Sequence, residues 1–468
     1  MKEDEIMTKI NRYEMDMTSG HFFKKIVIFC IPLMLTGILQ LFYNAADLII
    51  VGKFGDEPNA VGAVGSTSAL INLLVNLFMG LSIGANVMCA RSFAAKDSKK
   101  LERVVHTSIT ISAVFGFVLS GIGIVLADVL LTLMDNPLSL ARVYLRIYFI
   151  GMPFNMVYNF ASSILRGVGD TKRPLYYLLI SGAVNVILNF IFVYYLKMNV
   201  EGVAIATVIS QVLSCILIMN CLLKSKEVYK FRFRKINIYK KELLEITKIG
   251  LPAGIQGSIF SISNVIIQSS VNKFGATIIN GNATAQSIEG FVYMAINSVY
   301  SAALAFIGQN MGAKKYENIN KITLNCLLFV VLVGVIMGGS FFVAGRNLAY
   351  IYTDVESEID VAKIRLCYLC LPYALCGIMD VMVGVLRGMG QSLVPMIVSI
   401  VGVCGFRILW IYLIFYNFTD FKEATDLHLL YISYPISWIV TFSIHLITFF
   451  IVKKKLLIRV RKEELLCA

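Results

Sequence analysis

Residues 58–90 contain no Asp, Glu, Lys or Arg, and neither do residues 322–345. A helix needs about 20 mostly apolar residues to cross the hydrocarbon core of a bilayer, so either stretch is long enough by itself. A water-soluble domain carries roughly 25% charged residues. This chain carries 15%, with 57% hydrophobic residues and a mean hydropathy of +0.75. That is too little polar surface for water. Reading every uncharged apolar run in the same way predicts twelve spans, near 26–51, 60–88, 104–127, 143–164, 174–196, 201–223, 249–272, 279–307, 322–345, 364–386, 394–417 and 428–452. The alternating strands of about ten residues that mark a membrane β-barrel are absent. The expected fold class is therefore an all-α polytopic membrane protein with twelve transmembrane helices.

Charge orients it. The net charge of +13 would suit nucleic acid if it were spread over one face, but it is concentrated in alternate loops. With the N-terminus inside, the inside segments hold 32 of the 42 Lys and Arg, the outside segments nine when Arg146 and Arg365 at the outer span ends are counted with them, and Arg407 lies deep within a span. This is the positive-inside pattern. The basic stretch KSKEVYKFRFRKINIYKK (224–241) is then a cytoplasmic linker beside anionic lipid, and no nucleic-acid role is needed to explain it. The polar leader lacks the short apolar core and small-residue cleavage site of a signal peptide. It is read as retained and cytoplasmic.

The chain also repeats itself. LRGVGDTKRP at 165–174 returns as LRGMGQSLVP at 386–395, and VGKFG at 51–55 as VNKFG at 271–275. With the same offset of 220, Pro32 matches Pro252, Gly37 matches Gly257 and Asn44 matches Asn264, while 90–96 corresponds to 308–314. The predicted organisation is a leader (1–25), an N-terminal six-helix lobe (26–223), the basic linker (224–248), a C-terminal six-helix lobe (249–452) and a basic cytoplasmic tail (453–468). Six is even, so both halves enter from the same side and form parallel repeats, a plan used by secondary transporters that bind substrate between two bundles. In each half LRGxG is the cytoplasmic turn after the fourth span. Its glycines allow a tight bend, and the Pro starts the next helix.

More than three residues inside the span ends the sequence places four formally charged residues, Asp47, Glu289, Asp380 and Arg407. Ionisable groups at membrane depth are costly and mark functional sites by default. Gln40, Asn44 and Asp47 are spaced i, i+4, i+7 and share one helix face. Asp47 lies about 6 Å below the outer end of its span. Asn185, Asn189 and Thr207, on the fifth and sixth spans, fall in a similar layer. A carboxylate among neutral oxygens suits a hard cation, and a desolvated carboxylate can instead carry a proton. The C-terminal half differs. Ile267 stands at the repeat position of Asp47 and Trp410 at that of Asn189, while Arg407 is available to neutralise Glu289 or Asp380. Cys367 and Cys370 have CxxC spacing but no second pair and no nearby His, so they are read as apolar-behaving cysteines. The four His are far apart in sequence and form no metal motif.

These residues resemble a known family, the multidrug and toxic compound extrusion (MATE) transporters, over essentially the whole chain. The likeness is carried by the Pro-bearing first span ending in NAADLIIVGKFG, by LRGVGDTKRP followed by GAVNVILN, by FIGQNMGAKK after span 8, and by DVMVGVLRGMG. The resemblance implies two lobes around a central cavity. It also implies export of small organic, often cationic compounds in exchange for a proton or sodium ion, with no other cofactor and no catalytic residues. Family cation-site positions fall on Asp47, Asn185, Thr207 and Asn189, the last occupied by Asp in many proton-linked members. Asp380 matches a further acidic position of sodium-linked members, whose span 7 Glu has no counterpart in 252–264; Glu289 is a candidate substitute. Two rivals stand beside this reading. A lipid-linked saccharide flippase of the same superfamily would often show extra spans and a strongly cationic cavity. A membrane enzyme would need clustered catalytic groups, and His21, His106, His428 and His445 offer none. The expected setting is a bacterial cytoplasmic membrane, with both termini inside and the chain working as a monomer.

Overall fold

The structure, a computed structural model, describes residues 13–54, 60–132, 139–421 and 424–467. Residues 1–12 of the leader, Gly55 of the first VGKFG copy and Lys422 lie outside the described residues. Hydrocarbon offers no partner for backbone N–H and C=O groups, so a spanning segment must satisfy them within itself. The chain does so with helices: α1 (Phe22–Phe54), α2 (Ala60–Ala94), α3 (Ser98–Thr132), α4 (Ser139–Ile150), α5 (Met152–Gly167), α6 (Lys172–Phe190), α7 (Asn199–Lys224), α8 (Lys240–Val271), α9 (Ala276–Gly312), α10 (Asn318–Val343), α11 (Glu356–Leu369), α12 (Tyr373–Gly388), α13 (Leu393–Phe418) and α14 (Ser433–Cys467). Among the described residues ten helices are long and apolar enough to cross a membrane, and α11 with α12 makes an eleventh crossing bent by 48°. The predicted span at 143–164 is built from α4 and α5, which meet at Gly151. Each of the twelve predicted spans thus coincides with helix.

The two broken spans have one physical cause. Pro153 follows the α4–α5 break and Pro372 ends the α11–α12 break. Proline has no N–H to donate and crowds the preceding turn, so a helix entering it stops or kinks. Both breaks fall in the fourth predicted span of their half. The duplication therefore extends to backbone irregularities.

It extends further. At the end of α5, Asp170 N–H donates to Leu165 O at 2.8 Å and Gly169 N–H to Arg166 O at 3.0 Å. At the end of α12, Gln391 N–H donates to Leu386 O at 2.9 Å and Gly390 N–H to Arg387 O at 2.8 Å. This is a Schellman cap in both copies, and its left-handed residue is Gly169 (φ +97°) or Gly390 (φ +85°). The ends of α2 and α9 close in the same way, but with Lys96 (φ +55°) and Lys314 (φ +56°) in the left-handed position. A side-chain-bearing residue there costs about 1–2 kcal/mol. Likewise the π-helical segment Ile191–Tyr195 that continues α6 reappears as Ile411–Phe415 within α13.

The helices form two compact units. One holds Leu35–Ser258 with the chain up to Met17; the other holds Thr18–Met34 with Ile259–Ala468. In the first unit α2 and the start of α8 approach backbone to backbone. A Cβ on Gly84 would overlap the carbonyl oxygen of Ile246, and one on Gly254 that of Leu77. Such small-residue seams are how helices associate where lipid removes the hydrophobic drive. The core of this unit gathers Leu119, Leu145, Phe149, Met156, Val193 and Val203. In the second unit the start of α1 is held by Phe29 edge-on to Phe306 (5.8 Å) and Phe23 edge-on to Phe329 (5.9 Å). Large apolar side chains such as Phe117, Val125, Val343 and Leu413 stay exposed, as expected of a surface that faces lipid.

Replacing Lys314 by Gly should raise thermal stability in detergent by about 1 kcal/mol, and Gly390→Ala should lower it by about 1–2 kcal/mol. Unfolding midpoints of the two variants, measured side by side, check the left-handed caps.

Candidate functional site

In the first unit the fifth and sixth predicted spans, α6 and α7, bring their polar residues against the second half of α1. Tyr43 lies in the gap left by Gly182, where any Cβ would strike its ring, and its hydroxyl donates to Leu179 O at 3.4 Å. Phe54, Phe190 and Tyr194 then tie the C-terminal ends of α1 and α6 together at ring separations of 5.0–5.6 Å. Between these two contacts sits Asp47. Its carboxylate accepts a short hydrogen bond from Asn189 Nδ2. The same amide donates to Asn185 Oδ1 at 3.3 Å, and Asn185 Nδ2 reaches Thr207 Oγ1 at 3.5 Å. Asp47, Asn185 and Asn189 are buried. The carboxamide oxygen of Asn189 is buried with no partner, an acceptor left vacant beside a carboxylate.

Four oxygen-bearing side chains from three helices thus converge on one point. A carboxylate, two carboxamides and a hydroxyl are hard oxygen donors, the set a small hard cation takes, and Asp47 is also the one group of the four that can carry a proton. Gln40 and Asn44 share the helix face but are exposed and stand apart from the cluster. Among the described residues no three His, Cys, Asp or Glu side chains gather as a metal site, and Cys367 and Cys370 are both free thiols.

The second unit is built differently. Glu289 on α9 is clasped by Arg365 on α11, through Nη2 at 2.6 Å and Nε at 3.1 Å. Arg365 Nη1 donates to Asn282 Oδ1 at 2.7 Å, which also accepts Tyr431 OH at 2.7 Å, and Asn282 Nδ2 donates to Gln268 Oε1 at 2.9 Å. The expectation that Arg407 neutralises Glu289 or Asp380 fails. Arg407 lies 3.9 Å above the Tyr434 ring and donates to Ser437 Oγ at 3.0 Å. Asp380 makes no ion pair among the described residues.

Arg365 is the residue the sequence reading missed. It was counted with the outer loop, one residue inside the predicted boundary of the tenth span, yet it is almost fully buried. The signal was there, since a carboxylate at the depth of Glu289 needs a partner. Arg146, also placed outside, joins Arg142 on Asp128 in an exposed cluster at 3.0 and 2.6 Å.

The duplicated turn carries a further asymmetry. Asp170 caps α6 by accepting the N–H groups of Lys172 and Arg173 at 3.1 Å each, and it also pairs with the Arg173 side chain. Burial raises the Asp170 pKa above the ordinary carboxylate value, against the pull of the Arg173 guanidinium. Arg173 also donates to Tyr229 OH at 3.2 Å, and Tyr229 donates to Glu14 at 2.9 Å. The second copy has Gln391 and Val394 at these positions and lacks the hub.

Two helical units built from apolar spans define a multi-pass membrane protein. A model of the MatE family matches the chain twice, over residues 32–191 and 252–413. The chain belongs to that family of transporters. It is similar to the probable multidrug resistance protein YoeA of Bacillus subtilis, 26% identical over 393 residues that cover 81% of this chain and 84% of the relative. It is 25% identical over 395 residues to the probable multidrug resistance protein NorM of Thermotoga maritima (81% and 83% covered), and 21% identical over 373 residues to the multidrug export protein MepA of Staphylococcus aureus (79% and 82% covered). Among solved structures, a MOP superfamily transporter from Pyrococcus furiosus superposes with a TM-score of 0.87 at 22% identity, covering 95% of this chain and 99% of that one. A Vibrio cholerae MATE transporter superposes at 0.83 and 19% identity, covering 93% and 97%.

Arg365→Met should cost roughly 3–5 kcal/mol by leaving Glu289 unpaired. The double variant Arg365→Met with Glu289→Met should recover most of that loss. Thermal unfolding of the two variants and of the parent protein checks whether the pair acts as a unit.

Proposed function

We propose that the protein is a secondary active exporter. It exchanges an organic, often cationic compound for a coupling ion held at Asp47 with Asn185, Asn189 and Thr207. The observation that carries this reading is the Asp47–Asn189 contact, one carboxylate buried among neutral donors with a vacant carboxamide oxygen beside it. The relatives named as multidrug resistance and export proteins support the choice of cargo class. Sodium is the ion this donor set favours, since every contributed atom is a hard oxygen. A proton remains the alternative for the carboxylate alone. The basic linker and both termini lie on the cytoplasmic side of a bacterial membrane, as the 32:9 distribution of cations supports.

In this mechanism the cavity opens inward, takes up the compound and closes. The ion then reaches Asp47 from outside. Asp47 is bonded to α6 and α6 to α7, so a charge bound there pulls on three helices together and lowers affinity for the cargo. Linkage makes the effect reciprocal, and cargo weakens ion binding by the same factor. In the second unit Glu289 is committed to Arg365, whereas Asp380, also within a predicted span, makes no ion pair among the described residues.

Uptake of a fluorescent organic cation into proteoliposomes, driven separately by sodium and proton gradients, tests the proposal. Asp47→Asn is expected to abolish gradient-driven transport while leaving cargo binding intact; wild-type rates in that variant would refute it. Asn189→Asp places a second carboxylate in contact with Asp47. Like charges that close share a proton, so this variant should gain proton-driven transport relative to sodium-driven transport.

A further inference from the structure

A cavity of about 450 Å³ opens where the basic linker crosses the start of α3, lined by Lys99, Glu102 and Arg103 from the helix and by Arg234, Lys235 and Tyr239 from the linker. This lies within the usual size range of ligand pockets, and its wall carries four permanent cations against one carboxylate. Glu102 is already spent on Lys235 Nζ at 2.6 Å. Arg103 lies over the Tyr239 ring at 5.3 Å and 3.9 Å from Glu242. Lys99 and Arg234, one on each wall, make no ion pair among the described residues.

The linker that forms one wall of the cavity is fixed to α3 by specific hydrogen bonds. His106 Nε2 accepts the N–H of Arg232 at 3.1 Å, which leaves Nδ1 to donate to Glu102 O at 2.8 Å. Both ring nitrogens are used, and the ring stacks on Phe231 at 5.1 Å. Thr107 Oγ1 accepts the N–H of Tyr239 at 3.2 Å. The linker is thereby pinned to α3 at both ends of the basic segment. Between the pins, Phe233 (63% exposed) and Ile236 (52%) are bare. Exposed apolar side chains alternating with cations, at the membrane boundary between α7 and α8, suit a surface that meets lipid acyl chains and headgroups together.

We propose that this cavity is a binding site for a phosphate-bearing anion, delivered as the headgroup of an anionic phospholipid. Lys99 and Arg234 close on the phosphate from opposite walls, and Phe233 and Ile236 dip into the leaflet beside it. The site rests on the membrane reading of the chain but not on ion coupling at Asp47, and its test involves no gradient.

The full-length protein is placed in nanodiscs of phosphatidylcholine alone or with increasing phosphatidylglycerol, and retained phosphatidylglycerol is counted by native mass spectrometry. The variant pairs Lys99→Gln/Arg234→Gln and, as a control on the same linker outside the cavity, Lys226→Gln/Lys230→Gln are compared. The first pair should weaken phosphatidylglycerol retention about 30-fold, with an unchanged unfolding midpoint in phosphatidylcholine; the control pair should change it far less. Equal weakening by both pairs would reduce the cavity to diffuse surface charge and overturn the proposal, as would no change in the first pair. A parallel arm adds glycerol 1-phosphate to the phosphatidylcholine discs. Saturable binding there, lost in the first pair while phosphatidylglycerol retention is unaffected, would overturn the lipid assignment and give the site to a soluble phosphate ester.

Discussion

Hydrocarbon cannot accept or donate a hydrogen bond, and the rest of this structure follows from that. Every peptide group at membrane depth must find its partner along its own helix, so the chain is helical wherever it is apolar. Departures from helix are then informative, because each leaves backbone groups to be satisfied in another way. The two proline breaks and the two matching π-helical segments occur at the same places in both halves. Costly irregularities retained in duplicate mark the geometry of the fold rather than a local accident. The left-handed caps make the same point more sharply, since Lys96 and Lys314 both sustain a strained backbone that glycine would adopt freely.

On this shared scaffold the two units carry different chemistry. In the first, the layer at Asp47 is polar and its carboxylate has only neutral partners. In the second, the corresponding layer is filled. Ile267 is buried in place of Asp47, and Trp410 replaces Asn189 and donates its indole N–H to Leu429 O at 2.8 Å. Beyond that layer Lys273 lies over the Tyr416 ring at 3.8 Å, with Tyr416 also bonded to Ser270 at 2.9 Å. In the second unit Glu289 instead joins a network with Arg365, Asn282, Tyr431 and Gln268. A carboxylate gripped by a guanidinium at two points is expensive to disturb, which suits a fixed part; one held only by amides is free to trade partners.

The sequence made the helices legible because the signal for a span is length without charge, and that needs no knowledge of neighbours. The repeat was legible for the same reason, as identity at fixed spacing. The Asp47 cluster was readable in part. Depth along each helix could be counted, which put Asp47, Asn185, Asn189 and Thr207 in one layer, but rotation about the helix axis could not. Gln40 and Asn44, which share the helix face of Asp47, therefore stand as additional candidates in the sequence and are exposed in the structure. Pairing across the second unit was hidden, since which cation meets Glu289 depends on how α9 and α11 pack. Arg365 stands only one residue inside its predicted span, and a cation at a span end reads as part of the loop. The cavity under the linker was illegible, because a run of cations does not reveal which of them already have partners.

A single carboxylate must carry a large load if it drives the whole cycle. Moving a population from 1:99 to 99:1 takes about 5.5 kcal/mol of differential binding, far more than one exposed charge contact supplies. Burial changes the balance. In a medium from which water is excluded, an ion meeting Asp47 gains an interaction that water would have screened, and the vacant Asn189 oxygen gains its first partner at the same moment. The hydrogen bond from Asn189 to Asp47 must loosen to admit the ion, and that amide is also bonded to Asn185 on the same helix. In the proposed cycle, binding at one carboxylate would thus rearrange the amides of α6 as a set. The π-helical segment that begins directly after Phe190 gives the helix a place to absorb the change, since the wider turn there is already strained away from α geometry. Under that proposal the load would fall on the helix, not on the carboxylate alone.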